Sequence, residues 1–282
     1  VKVGSKVTTL KVGDHVADEP LIACGKCENC RKGDYHFCNR VQAEDGAGNF
    51  LGFSDDGGFA EYANIKEIFA QKMPEGLSYE LGALAEPTAV VFEAIKKCGL
   101  RVGQDVAIEG AGPIGLLTAL LAKSAGANHV FIIDLAQVRL DKAKELGFKH
   151  VLSPADGDVV AAVKKICPNG VDVAFEAAGV QPTFDTALKL VKRTGILQIV
   201  ALFGKPITVD LTNDVIMQGI DIYTTLCYNN SFRQVLGILN NNRELFSQVV
   251  TKKISLDNLL EKGIKALSTD KEQVKIMVSP EM

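Results

Sequence analysis

The sequence predicts an α/β protein in which a doubly wound parallel sheet is joined to a smaller β-rich module carrying a four-cysteine lobe. Three observations predict it. From Gln104 onward short apolar runs alternate with helical patterns, the rhythm of a parallel sheet covered on both faces. Within that rhythm, Val106-Ala107-Ile108-Glu109-Gly110-Ala111-Gly112-Pro113-Ile114-Gly115 sets G-x-G-x-x-G where a strand turns into a helix. Ahead of it, Cys24, Cys27, Cys30 and Cys38 form a C-x2-C-x2-C-x7-C run.

The elements follow in order. Val1-Lys2-Val3-Gly4 reads as a strand already in progress, so the chain is expected to be an N-terminally truncated piece of a longer protein. Val12-Gly13-Asp14-His15-Val16 reads as a turn and a second strand. Glycines at 46, 48, 52, 57 and 58 punctuate the first module, which runs to about Met73. Ser78 caps a helix with apolar positions at Leu81, Leu84 and Ala85, interrupted at Glu86-Pro87 because the residue before proline is pushed out of helical geometry. A second helix stops at Cys98-Gly99. Strands are then expected at 105–109, 129–134, 150–152, 172–176, 196–201 and 220–225, with helices at 113–125, 137–146, 159–166 and 182–190 between them. Helices at 232–239 and 256–267 and a strand at 274–278 close the chain.

Composition limits the function classes. At 282 residues the chain has room for two domains with substantial cores, and 47% hydrophobic with 23% charged residues is ordinary for a globular protein. A net charge of −3 gives no basic field for nucleic acid or an acidic membrane surface. No apolar run reaches the roughly eighteen residues that span a bilayer. Seven cysteines, an odd number, with no signal-peptide pattern before the cluster, suit a reducing cytoplasm.

Four thiolates within fifteen residues match tetrahedral ligation of one Zn2+, and with every ligand position filled the site is structural. A pair of disulfides and an iron–sulfur cluster are the competing readings; the run lacks the closing C-x3-C-P of a ferredoxin. In the glycine motif, Gly110 permits the tight turn, Gly112 lets backbone approach a pyrophosphate, and Gly115 lets the helix pack on the sheet. Pro113 suits the first helical turn and, with Ile114, opens a helix whose N–H groups face the phosphates. Asp134, nineteen residues past Gly115 at the end of the next strand, would accept a ribose diol and repel a 2′-phosphate, favouring NAD over NADP. Arg139 either reaches the adenosine or is a solvated helix-face arginine. Gly179, after Glu176-Ala177-Ala178, ends another strand on the cofactor side of such a sheet.

The four-cysteine lobe, the turn Gly57-Gly58-Phe59-Ala60-Glu61-Tyr62, Glu86-Pro87, the glycine motif and Asp134, in that order, resemble the zinc-containing medium-chain alcohol dehydrogenases. Asp134-Leu135-Ala136, Arg139-Leu140 and Lys142-Ala143 resemble the polyol branch, and the tail from Asp270 to Pro280 is similar to the 2,3-butanediol dehydrogenases. The resemblance implies a Rossmann domain over 89–227 and a GroES-like catalytic domain, incomplete at its N-terminus, formed by 1–88, with the lobe at 24–38, and by the returning segment 228–282.

It also implies a zinc-dependent, NAD-linked oxidoreductase interconverting a secondary alcohol, such as 2,3-butanediol, and its ketone, acetoin. A second, catalytic Zn2+ is implied for the parent protein, with Glu86 at that metal directly or through water, or else acting only as a carboxylate at a helix break. The family's other ligands, an early cysteine and a Gly-His-Glu element, would precede Val1, so this chain alone is expected to lack turnover. His15 and His36 read as surface residues rather than replacements. Sorbitol, another polyol or L-threonine are alternative substrates; sorbitol is disfavoured because its dehydrogenases carry an arginine in the segment matching Leu226-Cys227-Tyr228. A non-catalytic nucleotide-binding protein of the same fold is a rival class. A zinc-ribbon nucleic-acid binder is another, but Lys26, Arg31, Lys32 and Arg40 exceed Glu28 and Asp34 by only two charges, with Glu44-Asp45 and Asp55-Asp56 nearby. The expected partners are a small-molecule alcohol or ketone and further copies of the chain, as a homodimer or homotetramer pairing through an edge at 220–225; neither nucleic acid nor membrane is expected.

Overall fold

In the structure, a computed structural model, residues 1–40, 50–53, 55–269 and 273–280 are described. Gly46, Gly48, Glu44-Asp45 and residues 270–272 of the tail lie outside them. The chain divides into two units: Val1–Ala89 with Cys227–Ser268 and the chain from Ile276 on, and Val90–Leu226 with Thr269–Lys275.

The first unit opens with β1 (Val16–Asp18) and α1 (Glu28–Lys32), the latter inside the cysteine run. Strand β2 (Ala70–Lys72) pairs antiparallel with β1, Val16 opposite Lys72. Helix α2 (Tyr79–Ala83) is capped by Ser78, whose hydroxyl accepts from Leu81 N, and α3 (Ala85–Cys98) follows, its residues from Val90 onward belonging to the second unit.

The second unit alternates β3 (Val106–Glu109), α4 (Pro113–Ser124), β4 (Val130–Ile133), α5 (Gln137–Glu145), β5 (His150–Leu152), α6 (Val159–Ile166), β6 (Val171–Glu176), α7 (Gln181–Leu190), β7 (Val191–Ile199) and β8 (Asp221–Thr224). The strands form one parallel six-stranded sheet in the order β5-β4-β3-β6-β7-β8. Chain direction across the sheet reverses at β3, so the loops leaving β3, β4 and β6 diverge at their carboxyl ends, where such sheets bind ligands.

The first unit resumes with α8 (Phe232–Asn241), α9 (Arg243–Ser247) and β9 (Val250–Ser255). After α10 (Ala266–Thr269), β10 (Lys275–Ser279) pairs with β9.

Burial explains why the sheet forms. Every residue of β3 and β4 is buried, as expected of parallel strands covered on both faces. Helix α4 is buried from Gly115 through Ala122, and its neighbours pack Phe131, Val163, Phe184, Leu190 and Leu197 into one cluster. Strand β8 lies at the sheet edge with Asp221 and Thr224 exposed. Among the described residues no helix is long and apolar enough to cross a membrane.

Four local expectations change. Residues 1–4 join no strand, and Val1 is 94% exposed, so its apolar character finds no sheet to pack on. The helix break falls at Leu84, which closes α2 and accepts from Thr88 N, while Glu86-Pro87 sits in the first turn of α3. Proline is tolerated there because the first N–H groups of a helix have no intrahelical acceptor to lose. Strand β7 starts at Val191, straight from α7, and bulges before Ile196 with Thr194 at φ +59°. The span expected as one helix over 256–267 splits into a 3₁₀ turn (Leu256–Asn258), a π-helical stretch (Leu259–Lys265) and α10. Gly263 lies mid-stretch, where an added Cβ would stand 3.0 Å from Ile254 Cδ1, so the absent side chain lets the stretch pack closely on β9.

Phe131→Ala, which empties a fully buried aromatic site on β4, is expected to lower unfolding free energy by about 3–5 kcal/mol, measured from urea midpoints of the two chains.

Candidate functional site

In the second unit the turn after β3 is shaped by its glycines. Gly110 adopts φ +104°, open to glycine at little cost. A Cβ on Gly115 would sit 1.8 Å from the Gly110 carbonyl oxygen, so only glycine lets α4 start this close to the strand. Gly112 caps α4 with Pro113 at the first position; an added Cβ there meets nothing nearer than Arg139 Nη1 at 3.9 Å, leaving its outer side open. The first N–H groups of a twelve-residue helix, with the positive end of its dipole, lie at this turn, which suits a dinucleotide's phosphates.

Asp134 follows β4 and spans two turns. Its Oδ2 accepts from Ala111 N at 2.7 Å and its Oδ1 from Ala136 N at 2.8 Å. Arg139 Nη1 stands 3.7 Å from Asp134 Oδ2, and its buried Nε has no hydrogen-bond partner among the described residues. The structure brings Asp134, Arg139 and the glycine turn together, with the half-buried Arg139 reaching toward the carboxylate.

Two more carboxylates end strands here. Glu176, the last residue of β6, is fully buried, and its Oε1 accepts from Ala178 N, Gly179 N and Thr183 Oγ1 at 2.7–3.1 Å. Glu109, the last residue of β3, is 2% exposed, and its Oε1 has no hydrogen-bond partner among the described residues. Burial first, then the charges of Glu176 and Asp134, push the Glu109 carboxyl up to about 8, so it holds its proton at neutral pH. Sequence reasoning passed over both as functional residues. The signal was present: an acid closing a largely apolar strand, with a glycine within the next three residues.

The first unit gathers the four cysteines. Helix α1 carries Cys30, Gly33 ends that helix at φ +92°, and a 3₁₀ turn (Tyr35–Phe37) delivers Cys38. The four Sγ atoms lie within 4.8 Å of one another, with Cys24–Cys30 at 3.9 Å and Cys27–Cys30 at 3.4 Å. Tetrahedral zinc with bonds of about 2.3 Å sets its sulfurs about 3.8 Å apart, so the cluster fits that ion. Backbone N–H groups of Lys26 and Cys27 point at Cys24 Sγ and draw its thiol down to about 6. Burial and the neighbouring thiols push Cys30 up to about 12, so an ion is the natural partner for the inner sulfurs. All seven cysteines are unpaired thiols, which removes the disulfide reading.

Tyr35, inside the lobe, donates to Glu19 Oε2 at 2.9 Å and accepts from Asn230 N at 2.8 Å, while Gln71 donates to Glu19 Oε1. This ties the lobe to β2 and to the segment after Cys227. Glu86 is half-buried at a recess of about 270 Å³ that Tyr79 and Asp18 also line. Its charge, after burial, raises the neighbouring Cys227 to about 11 and raises Tyr228, whose buried hydroxyl has no hydrogen-bond partner among the described residues. Among the described residues no three metal-binding groups converge at Glu86. His15 is exposed and stacks on Tyr79, and His36 is half-buried against Tyr35 and Phe37; neither joins the cysteine cluster.

Comparison with known proteins agrees with this geometry. Residues 113–241 match the zinc-binding dehydrogenase family model, and residues 1–75 match the alcohol dehydrogenase GroES-like domain. The chain is 36% identical over 283 residues to a sorbitol dehydrogenase of Bacillus subtilis (strain 168), covering 99% of this chain and 77% of that protein. It is 37% identical over 281 residues to the (R,R)-butanediol dehydrogenase of the same organism, covering 99% and 78%. The crystal structure of 2R,3R-butanediol dehydrogenase from Bacillus subtilis superposes with a TM-score of 0.89 at 36% identity, over 99% of this chain and 78% of that one.

Two outcomes follow. Between pH 5 and 8 the folded chain retains the Glu109 proton that the unfolded chain releases near 4.5, so this group's favourable term is complete below 4.5 and fades as pH rises through 8. Urea unfolding of Glu109→Gln should show it gaining on the parent across that window, by on the order of a few kcal/mol at pH 9. Zinc analysis of Cys24→Ser should show loss of the ion retained by the parent chain after gel filtration, with a lower melting temperature.

Proposed function

The chain belongs to the zinc-binding medium-chain alcohol dehydrogenase family, and from that premise we propose an NAD-linked oxidoreductase that interconverts a vicinal diol, 2,3-butanediol or a close analogue, with its ketone. The observation that carries the NAD half is the Asp134 carboxylate, held beside the glycine turn by Ala111 N–H at 2.7 Å. A fixed negative charge there accepts a ribose diol and opposes a 2′-phosphate.

In this reading Gly110, Gly112, Pro113, Ile114 and Gly115 hold the pyrophosphate, with Asp134 and Arg139 at the adenosine side. Cys24, Cys27, Cys30 and Cys38 hold a structural Zn2+. Bound to the protein, the family's metal would polarise the alcohol oxygen and a nicotinamide would take the hydride, chemistry for which this chain offers only the Glu86 carboxylate among the described residues. Glu86 supplies one carboxylate toward the substrate side of the first unit, where it faces a recess rather than the cysteine cluster. Glu109, kept neutral, leaves Asp134 as the anionic group beside the ribose. The first unit is then the substrate domain and the second the dinucleotide domain. Exposed edge strand β8 suits pairing between copies in a dimer or tetramer, and seven unpaired thiols suit a cytoplasmic enzyme.

A sorbitol substrate is the second reading, because the sorbitol relative is as similar as the butanediol relative, 36% against 37%. Against it stands Cys227 in the segment where an arginine is expected. Initial rates of NAD reduction by the protein carrying this chain, measured side by side on 2,3-butanediol, sorbitol and L-threonine, separate them. The diol should give the highest kcat/KM and acetoin as product, with activity lost on chelation. Faster sorbitol or threonine turnover would displace the diol. Dinucleotide binding without oxidation of any of them would favour a non-catalytic nucleotide-binding protein.

A further inference from the structure

The amino-terminal edge of the six-stranded sheet, opposite the glycine turn, holds a second group of unlike ligands. Asp105 directly precedes β3, His129 directly precedes β4, and Cys167 directly follows α6. Asp105 Oδ1 lies 2.9 Å from His129 Nδ1, and Cys167 Sγ lies 3.2 Å from Asp105 Oδ2. One ligand atom from each falls within 4.8 Å of the others. Regular structure fixes all three: Val106 N donates to His129 O, Cys167 N to Val163 O, and Asp105 N to Asp172 Oδ2. Little rearrangement therefore separates this arrangement from a coordinating one.

The donors define the ion. One thiolate, one imidazole and one carboxylate carry two negative charges together and balance a divalent cation. Mg2+ and Ca2+ take all-oxygen shells, and strongly thiophilic ions favour several sulfurs, which leaves borderline divalent transition ions. Three protein ligands also leave a tetrahedral fourth position open to solvent. An entry path exists, because His129 borders a surface recess of about 410 Å³ shared with Asn128 and His150. Lys123 and Lys149 line the same recess, and Asp172, paired with Lys192, stands behind Asp105. The competing explanation is a hydrogen-bonded knot, since Asp105 also accepts from Asn128 Nδ2 and His129 N.

We propose that Asp105, His129 and Cys167 bind one borderline divalent transition ion, Zn2+ or its surrogate Co2+, at a site separate from the four-cysteine lobe and from the dinucleotide turn. Such an ion would clip the starts of β3 and β4 to the α6–β6 connection and stabilise the second unit by mass action.

Cobalt titration of the full chain, with the lobe first filled by zinc, tests this. The expected result is one further Co2+ per chain, with a thiolate-to-cobalt absorption band of single-sulfur intensity and a rise in melting temperature. Cys167→Ser should abolish the band, and His129→Gln should weaken binding at least about tenfold, as even outer-shell changes do. His129→Gln retains a side-chain donor toward Asp105, so it decides the matter if Cys167→Ser fails to fold, as circular dichroism would show. Cys24→Ser should leave the single-sulfur band intact. A parent chain that takes up no further cobalt, or a band unchanged in His129→Gln, would overturn the proposal and leave the knot as the only role.

Discussion

The contact on which the rest of the second unit depends is the approach of Gly115 to the Gly110 carbonyl. With room for no side-chain atom between them, α4 begins immediately over the end of β3, and its unpaired N–H groups face the carboxyl edge of the sheet. Everything chemical at that edge is arranged around this fixed start. Asp134 holds the turn from the β4 side through Ala111 N–H, and Glu176 closes the loop after β6 on the N–H groups of Ala178 and Gly179. Three carboxyl groups so close cannot all ionise in a buried setting, and Glu109, raised by burial and then by the charges of Glu176 and Asp134, keeps its proton. The edge therefore presents one anionic group toward a ribose position and two carboxyls committed to the protein.

The first unit solves a different problem. Its regular strands among the described residues are two short pairs, and the apolar cluster at the lobe contains only Leu21 and Cys38 as fully buried members. So small a cluster cannot by itself order the irregular backbone of the lobe, although the rest of the unit buries Leu84, Phe232, Leu239 and Phe246. Metal ligation can, since structural zinc contributes on the order of 10 kcal/mol at neutral pH. The Tyr35–Glu19–Gln71 network then carries the lobe's order to β2, and Asn230 extends it to the chain beyond Cys227.

Much of this was legible in the residues because it is local. The strand at His150–Leu152 and the helix Val159–Ile166 fall on the expected residues, since apolar runs and glycine punctuation set parallel strands and their helices within a few positions. The cysteine spacing and the glycine motif are local for the same reason, each built within one turn of chain. What was not legible depends on distant packing. Leu84, not Pro87, breaks the helix, because proline costs nothing in a first turn whose start is set by tertiary burial. Gly263 sits in a π-helical stretch and packs closely against Ile254 of β9. Asp105, His129 and Cys167 are separated by 24 and 38 residues and meet only because strand order brings their starting points to one edge. No periodicity records such a meeting.

The fixed carboxylate at the dinucleotide turn is the claim on which the functional reading rests, and nicotinamide fluorescence titration reaches it most directly. NADH and NADPH would be titrated into the chain and into Asp134→Ala. Tighter NADH binding by the parent, with the preference levelled in the variant, is the result expected. Equal affinity for the two dinucleotides in the parent, or a preference unchanged by removing Asp134, would contradict it.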